Sequence, residues 1–146
     1  MAYLSLNYHI VFSTKHRQNS IGRAWRPRLH EYLGGTVRGL GGAPMGQGGI
    51  ADHVHLLFGL RATHRLCDIV REIKKASCRW VHHEIGLDSF LWQESYAAFT
   101  VDWRGVPIVQ RYIANQEQHH RERSFREELV VALDEAGIEY DPQFLD

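Results

Sequence analysis

The chain has 146 residues, 17 basic and 17 acidic side chains, no formal net charge and 44% hydrophobic residues. These values describe one soluble domain with a single core and exclude wholesale disorder. No apolar run approaches the ~20 residues of a membrane-spanning helix. Residues 1–9 lack the basic start and apolar block of a secretion signal, so a cytoplasmic address is expected.

The balanced charge hides a division. Residues 1–83 carry 12 Lys/Arg against four acids, and residues 84–146 carry five against 13. Such a split fits a polyanion partner for the basic half, and equally two halves that attract each other within one fold.

In chain order, residues 4–14 mix β-branched and aromatic with polar residues and read as a strand running into the basic loop Lys15-His16-Arg17. Trp25, Leu29, Tyr32, Leu33 and Val37 follow helical spacing, which Gly34 and Gly35 are expected to weaken. The glycine-rich residues 41–49 lack the Gly-Lys-Ser/Thr of a phosphate loop and read as a turn and a short strand. Residues 53–60 alternate, with Val54, Leu56, Phe58 and Leu60 on one face and His53, His55 and Leu57 on the other. Thr63 is the expected cap of a helix whose apolar stripe runs Leu66, Ile69, Val70, Ile73, Ser77, Trp80, Val81, with Gly86 as its stop.

Cys67 and Cys78 fall on that helix, and a rise of ~1.5 Å per residue separates them by roughly 16 Å, too far for a disulfide. Residues 90–101 read as one or two strands. Pro107 suits the first turn of a third helix expected to reach about His120, and Ser124-Phe125-Arg126-Glu127 opens a fourth that Gly137 ends. The order β-α-β-β-α-β-α-α predicts one α+β domain over residues 1–146: a small antiparallel β-sheet with helices packed on one face, a ferredoxin-like or RNA-recognition-like sandwich.

Two groups of residues carry possible chemistry. His53 and His55, two apart on a strand, project from one face and can hold one metal ion, although the pattern also fits an ordinary polar strand face. Tyr112 and Gln116 are one helical turn apart, with His120 extending the stripe; taken alone they also fit a core aromatic and a solvated amide. Together they describe a usable arrangement. A metal on two imidazoles and an amide oxygen can polarise a phosphate, and a tyrosine one turn from the amide is placed to attack it. A phenol with a normal pKa of ~10 needs a nearby cation to do so at neutral pH.

Here the chain resembles the single-tyrosine HUH transposases that mobilise the smallest single-strand insertion sequences. The resemblance rests on Tyr8-His9-Ile10-Val11-Phe12, Asp52-His53-Val54-His55-Leu56-Leu57, Ile73-Lys74-Lys75-Ala76-Ser77-Cys78-Arg79-Trp80, Trp92-Gln93-Glu94-Ser95-Tyr96-Ala97-Ala98-Phe99 and Tyr112 through His120, in that order. It implies that His53, His55 and Gln116 hold Mg²⁺ or Mn²⁺ and that Tyr112 is the nucleophile. The tyrosine would form a 5′-phosphotyrosine on single-stranded DNA at hairpin-bearing element ends and release a 3′-hydroxyl for rejoining. It further implies a homodimer with two active sites, no membrane, and a nucleoid-associated cytoplasmic location in a prokaryote.

Lys15, Arg17, Arg23, Arg71, Lys74, Lys75 and Arg79 become candidate DNA contacts. The alternatives are a tyrosine nuclease of the same chemistry acting on palindromic repeats, a non-catalytic single-stranded nucleic-acid binding module, and a phosphodiesterase that uses water.

Overall fold

In a computed structural model, which describes residues 1–145, the elements are β1 (Asn7–Ser13), α1 (Arg26–Gly39), β2 (Ala43–Gly49), β3 (His53–Gly59), α2 (Leu66–Trp80), β4 (Ala97–Val101), α3 (Val106–Ala114), α4 (Gln116–His119) and α5 (Phe125–Glu135). The strands form one antiparallel sheet in the order β2-β3-β1-β4. α1 carries the chain from central β1 to edge strand β2, and α2 carries it from β3 to the opposite edge. This is the expected ferredoxin-like topology.

Strand alternation sends Ile10, Phe12, Val54, Leu56 and Phe58 to one face, where they are buried with Leu29, Leu33 and Val37 of α1 and Ile69, Val70 and Ile73 of α2. Two helices on one face match the expected sandwich. The second face is also covered: Ile113 of α3 lies against Gly46 and Gly48 of β2, and Phe125, Leu129 and Leu133 of α5 share a cavity wall with Val11. Residues 53–58 are consequently buried throughout, on both sides of the strand.

Three local outcomes differ from expectation, at the α1 glycines, at the start of α2 and at the end of the third helix. α1 continues through Gly34 and Gly35 because Gly34 is buried against β2, where a Cβ would come 2.9 Å from the Gln47 side chain. The missing side chain permits the close approach of helix to sheet and offsets its low helix propensity. α2 starts after Arg65, while Thr63 sits in a turn held by Arg61 N donating to His64 Nδ1 at 2.9 Å.

Residues 90–101 give one strand, Ala97–Val101, within the expected one or two. Trp92 makes only a lone bridge to Thr14, and the segment is anchored by its ring, edge-on to Phe12 and Phe90 at 4.8 Å each, and by its indole N–H donating to Ser77 Oγ at 2.9 Å. The third helix stops at Ala114, since Asn115 leaves the helical region (φ −100°, ψ 20°) before α4 begins. Ser124 caps α5 as expected, accepting from Glu127 N at 3.2 Å.

Candidate active site

The histidine face of the sheet meets α3, α4 and α5 in a buried polar cluster. His53 and His55 are 0% and 1% exposed, Gln116 2% and Glu128 5%. Each strand histidine is tied at one ring nitrogen and presents the other inward. His53 Nδ1 lies 2.7 Å from Asp52 Oδ1, and His55 Nδ1 lies 2.8 Å from His9 Nε2. Their Nε2 atoms converge: that of His53 is 2.9 Å from Gln116 Oε1, and that of His55 is 3.0 Å from Glu128 Oε1.

Imidazoles anchored through Nδ1 with Nε2 directed to a common point are the arrangement a metal ion requires, because the outer bond fixes tautomer and ring orientation. His53, His55, His120 and Glu128 all place a ligand atom within 4.8 Å of one another. The nitrogen, amide and carboxylate donors fit a divalent cation. The structure thus brings together the predicted His53, His55 and Gln116 on one chain.

Tyr112 reaches the same cluster from α3. Its hydroxyl donates to Glu128 Oε2 and lies 3.4 Å from His119 Nε2; its ring is edge-on to His55 at 5.6 Å. Phenol, His55, His9 and Glu128 line a cavity of about 330 Å³ that Phe99 and Arg123 also border. α3 is held close to the sheet at Gly48, where a Cβ would collide with the Ile113 carbonyl oxygen and come 2.8 Å from Ile113 Cγ2.

Glu128, His119, His9 and Asp52 carry no site role in the sequence reading, and His120 enters it only as an extension of the Tyr112–Gln116 stripe. Glu128 had a signal: it interrupts the apolar stripe Phe125, Leu129, Leu133 of an amphipathic helix, and a carboxylate on a buried stripe needs partners. Here they are a phenol, an amide and four imidazoles, for Gln116 Nε2 donates to Oε2 at 3.0 Å and His119 and His120 approach it at 3.2 and 3.3 Å. Phe125, one turn earlier, stacks on His53 at 4.4 Å.

The electrostatics follow from this packing. Burial pushes the Glu128 carboxyl up, but hydrogen bonds from His120, His53 and His55 outweigh it and hold the group far below the usual carboxylate range. Burial likewise pushes His53 down, yet Asp52 and Glu128 dominate and raise it to about 9. His55 falls to about 4, chiefly through desolvation, and His9 falls to about 3 for the same reason with a smaller contribution from His55. Burial and the adjoining Glu128 charge push the Tyr112 phenol well above its ordinary value.

The candidate DNA-contact residues separate into groups. Lys15, Arg23, Arg71, Lys75 and Arg79 are exposed and Arg17 is half-buried. Lys15 and Arg17 follow the end of β1 where Ser13 pairs with His53. Arg71, Lys75 and Arg79 ride on α2, across the sheet from Tyr112, and Arg71 bridges Asp68 at 3.2 Å. Lys74 turns inward: its Nζ donates to Gln93 O at 2.8 Å and Ser95 O at 2.7 Å and lies 5.0 Å from the Phe12 ring centroid. Among the described residues no helix is long and apolar enough to cross a membrane.

Comparison with known proteins gives a consistent picture. Residues 2–116 match the family described as Transposase IS200 like. Among solved structures, a Deinococcus radiodurans R1 protein assigned as a transposase is 27% identical with a TM-score of 0.63, the match covering 80% of this chain and 95% of that one. A REP-associated tyrosine transposase bound to a REP hairpin shares the fold, at 16% identity and a TM-score of 0.60, over 82% of this chain and 74% of that one. The search of curated protein sequences gives no match.

Proposed function

The chain belongs to the IS200-like transposase family, and from that premise we propose that it cuts and rejoins single-stranded DNA at insertion-sequence ends through a covalent bond to Tyr112. The observation that carries this reading is the shared cavity: the Tyr112 phenol opens onto the same space as His55, beside the convergent His53, His55 and Gln116 donors.

His53, His55 and Gln116 would hold Mg²⁺ or Mn²⁺, which supplies Lewis-acid polarisation of a phosphate oxygen. Asp52 and His9 fix the two imidazoles so that both Nε2 lone pairs face inward. Glu128 Oε2 holds the Tyr112 hydroxyl hydrogen and thereby sets the direction of the phenol oxygen's remaining lone pairs. Phe125 covers one face of the His53 ring. The Tyr112 hydroxyl gives up its proton to solvent as the phenol oxygen bonds to phosphorus, the bond to the 3′-oxygen breaks, and that oxygen takes up a proton from solvent and leaves as a hydroxyl. The phosphodiester energy stays in the 5′-phosphotyrosine, so a second 3′-hydroxyl can reverse the step without ATP.

Excision needs two cuts and each chain offers one such tyrosine, so the working unit is a homodimer. Lys15, Arg17 and Arg23 supply phosphate contacts nearest the site, and Arg71, Lys75 and Arg79 supply more remote ones. A nucleoid-associated cytoplasmic setting fits this substrate.

The test mixes full-length protein with Mn²⁺ and single-stranded DNA from the flanks of its own gene, followed by a denaturing gel. A protein–DNA adduct in wild type that is lost in Tyr112→Phe supports the reading. Cleavage without an adduct in both proteins makes water the nucleophile and overturns it. Tight binding of the correct ends with neither cleavage nor adduct makes the chain a binding module. Hairpins from dispersed palindromic repeats run in parallel separate the two tyrosine chemistries: a preference for them assigns the chain to the repeat-acting kind.

A further inference from the structure

We propose that Glu128, from α5, is itself a ligand of the divalent ion, so that the metal site contains a carboxylate alongside His53, His55 and Gln116. This rests on the metal-assisted reading above and adds a donor that lies beyond residues 2–116, the span of the family match.

The first argument is geometric. In six-coordinate sites with metal–ligand bonds of about 2.1 Å, neighbouring donors stand about 3.0 Å apart. Glu128 Oε1 lies 3.0 Å from His55 Nε2 and 3.5 Å from His53 Nε2, while Gln116 Oε1 lies 2.9 Å from His53 Nε2. These three spacings are close to that of adjacent ligands around one ion.

The second argument is chemical. Two neutral imidazoles and an amide bring no negative charge to a dication, whereas Mg²⁺ and Mn²⁺ favour sites with one or two carboxylates. Glu128 is 5% exposed and is the buried acidic side chain among the described residues. A charge removed from water at that depth is costly unless it is paired, and the converging histidine nitrogens are where it is directed. The third is architectural. Ser124 caps α5 and Phe125 stacks on His53, so the first turn of α5, which carries Glu128, is ordered and packed against one of the metal histidines.

The experiment uses the full-length protein and Mn²⁺ alone. Crystals grown with Mn²⁺ locate the ion by anomalous scattering, and a Glu128 oxygen about 2.1 Å from it is the expected result. Titration calorimetry gives the second readout: Glu128→Gln weakens Mn²⁺ binding at least tenfold, and Glu128→Asp falls between the two. An ion bound to His53 and His55 with water between it and Glu128 overturns the proposal and leaves the metal-assisted reading standing. A wild-type chain that binds no Mn²⁺ overturns both. An adduct formed in excess EDTA removes the metal from the cleavage step, while the diffraction result still decides whether Glu128 is a ligand. The wild-type crystal needs no variant, so a folding defect in Glu128→Gln does not block the test.

Discussion

His9 and His55 meet across the β1–β3 ladder through one hydrogen bond, His9 Nε2 to His55 Nδ1 at 2.8 Å, with their rings stacked 5.1 Å apart. In the ladder His9 stands opposite Leu57, so this is a diagonal pair on the sheet face that carries the cluster. When His55 Nε2 holds a cation, Nδ1 carries the proton and donates it to His9. A residue with no metal contact thereby decides the tautomer of one that has it.

The first prediction concerns that bond. His9→Phe keeps an aromatic ring in the stack but offers no acceptor, and Mn²⁺ affinity by calorimetry falls about 10–100-fold, the usual cost of losing an outer-shell partner. His9→Gln recovers part of the loss because its amide oxygen can accept. Equal affinity in wild type and His9→Phe would show that the Asp52 side alone orients the site.

Gly48 offers a second test, with no reactive group involved. Gly48→Ala forces the Ile113 carbonyl and Cγ2 away from β2 and costs about 1–3 kcal/mol in urea unfolding, the range for overpacking. Ile113 lies between Tyr112 and the proposed ligand Gln116, so adduct formation slows and Mn²⁺ affinity falls by less, because His53 and His55 stay in place on β3. Unchanged adduct formation in the destabilised variant would contradict this.

Acid stability supplies the third. His30 is largely buried, its Nε2 meets no hydrogen-bond partner among the described residues, and burial followed by the Arg26 charge lowers its pKa to about 4. The folded value lies below the unfolded ~6.5, so the unfolded chain binds more protons between the two. The resulting stability is full above about pH 6.5 and is lost as pH falls through 4, by roughly 1–3 kcal/mol after discounting for partial exposure. His30→Leu should match wild type at pH 7 within about 1 kcal/mol and lose less on going to pH 4.5, measured by urea unfolding at both values. Because His9 and His55 also resist protonation, some acid loss persists in the variant, and the difference between the two curves is the quantity read.

The fourth separates structural from DNA-binding cations on α2. Lys74→Met removes two hydrogen bonds to the Gln93 and Ser95 carbonyls and lowers stability by about 1–3 kcal/mol, with little change in the salt dependence of single-stranded DNA binding. Lys75→Gln with Arg79→Gln does the reverse. Their loss reduces the slope of log K against log salt by about 1.4, at about 0.7 per phosphate contact on a single strand. A slope that does not move would place the DNA elsewhere than on α2.

Much of the fold was legible because its signals are local. The alternation of residues 53–60, the α2 stripe with its Gly86 stop, and the Ser124 cap each report backbone periodicity or a single hydrogen bond. His53, His55, Tyr112 and Gln116 could be singled out because spacings of two on a strand and four on a helix set which side chains share a face. The misses are tertiary. Gly34 looks like a helix breaker until β2 is laid against it, and Trp92 looks like a strand residue until Phe12, Phe90 and Ser77 surround it. Glu128 joins His55 across 73 positions of sequence. No local pattern encodes such a meeting; only the anomaly of a carboxylate on an apolar stripe hints at it.

That separation has a consequence during synthesis. A chain emerging from the ribosome can complete the four-stranded sheet once β4 is out, with both strand histidines already in place. The cluster still lacks its carboxylate and the Phe125 lid until α5 has cleared the exit tunnel, since long-range contacts form only after the intervening chain is available. A partly made protein therefore has its folded scaffold before its assembled centre, and α5, translated after the whole sheet, is the element that completes it.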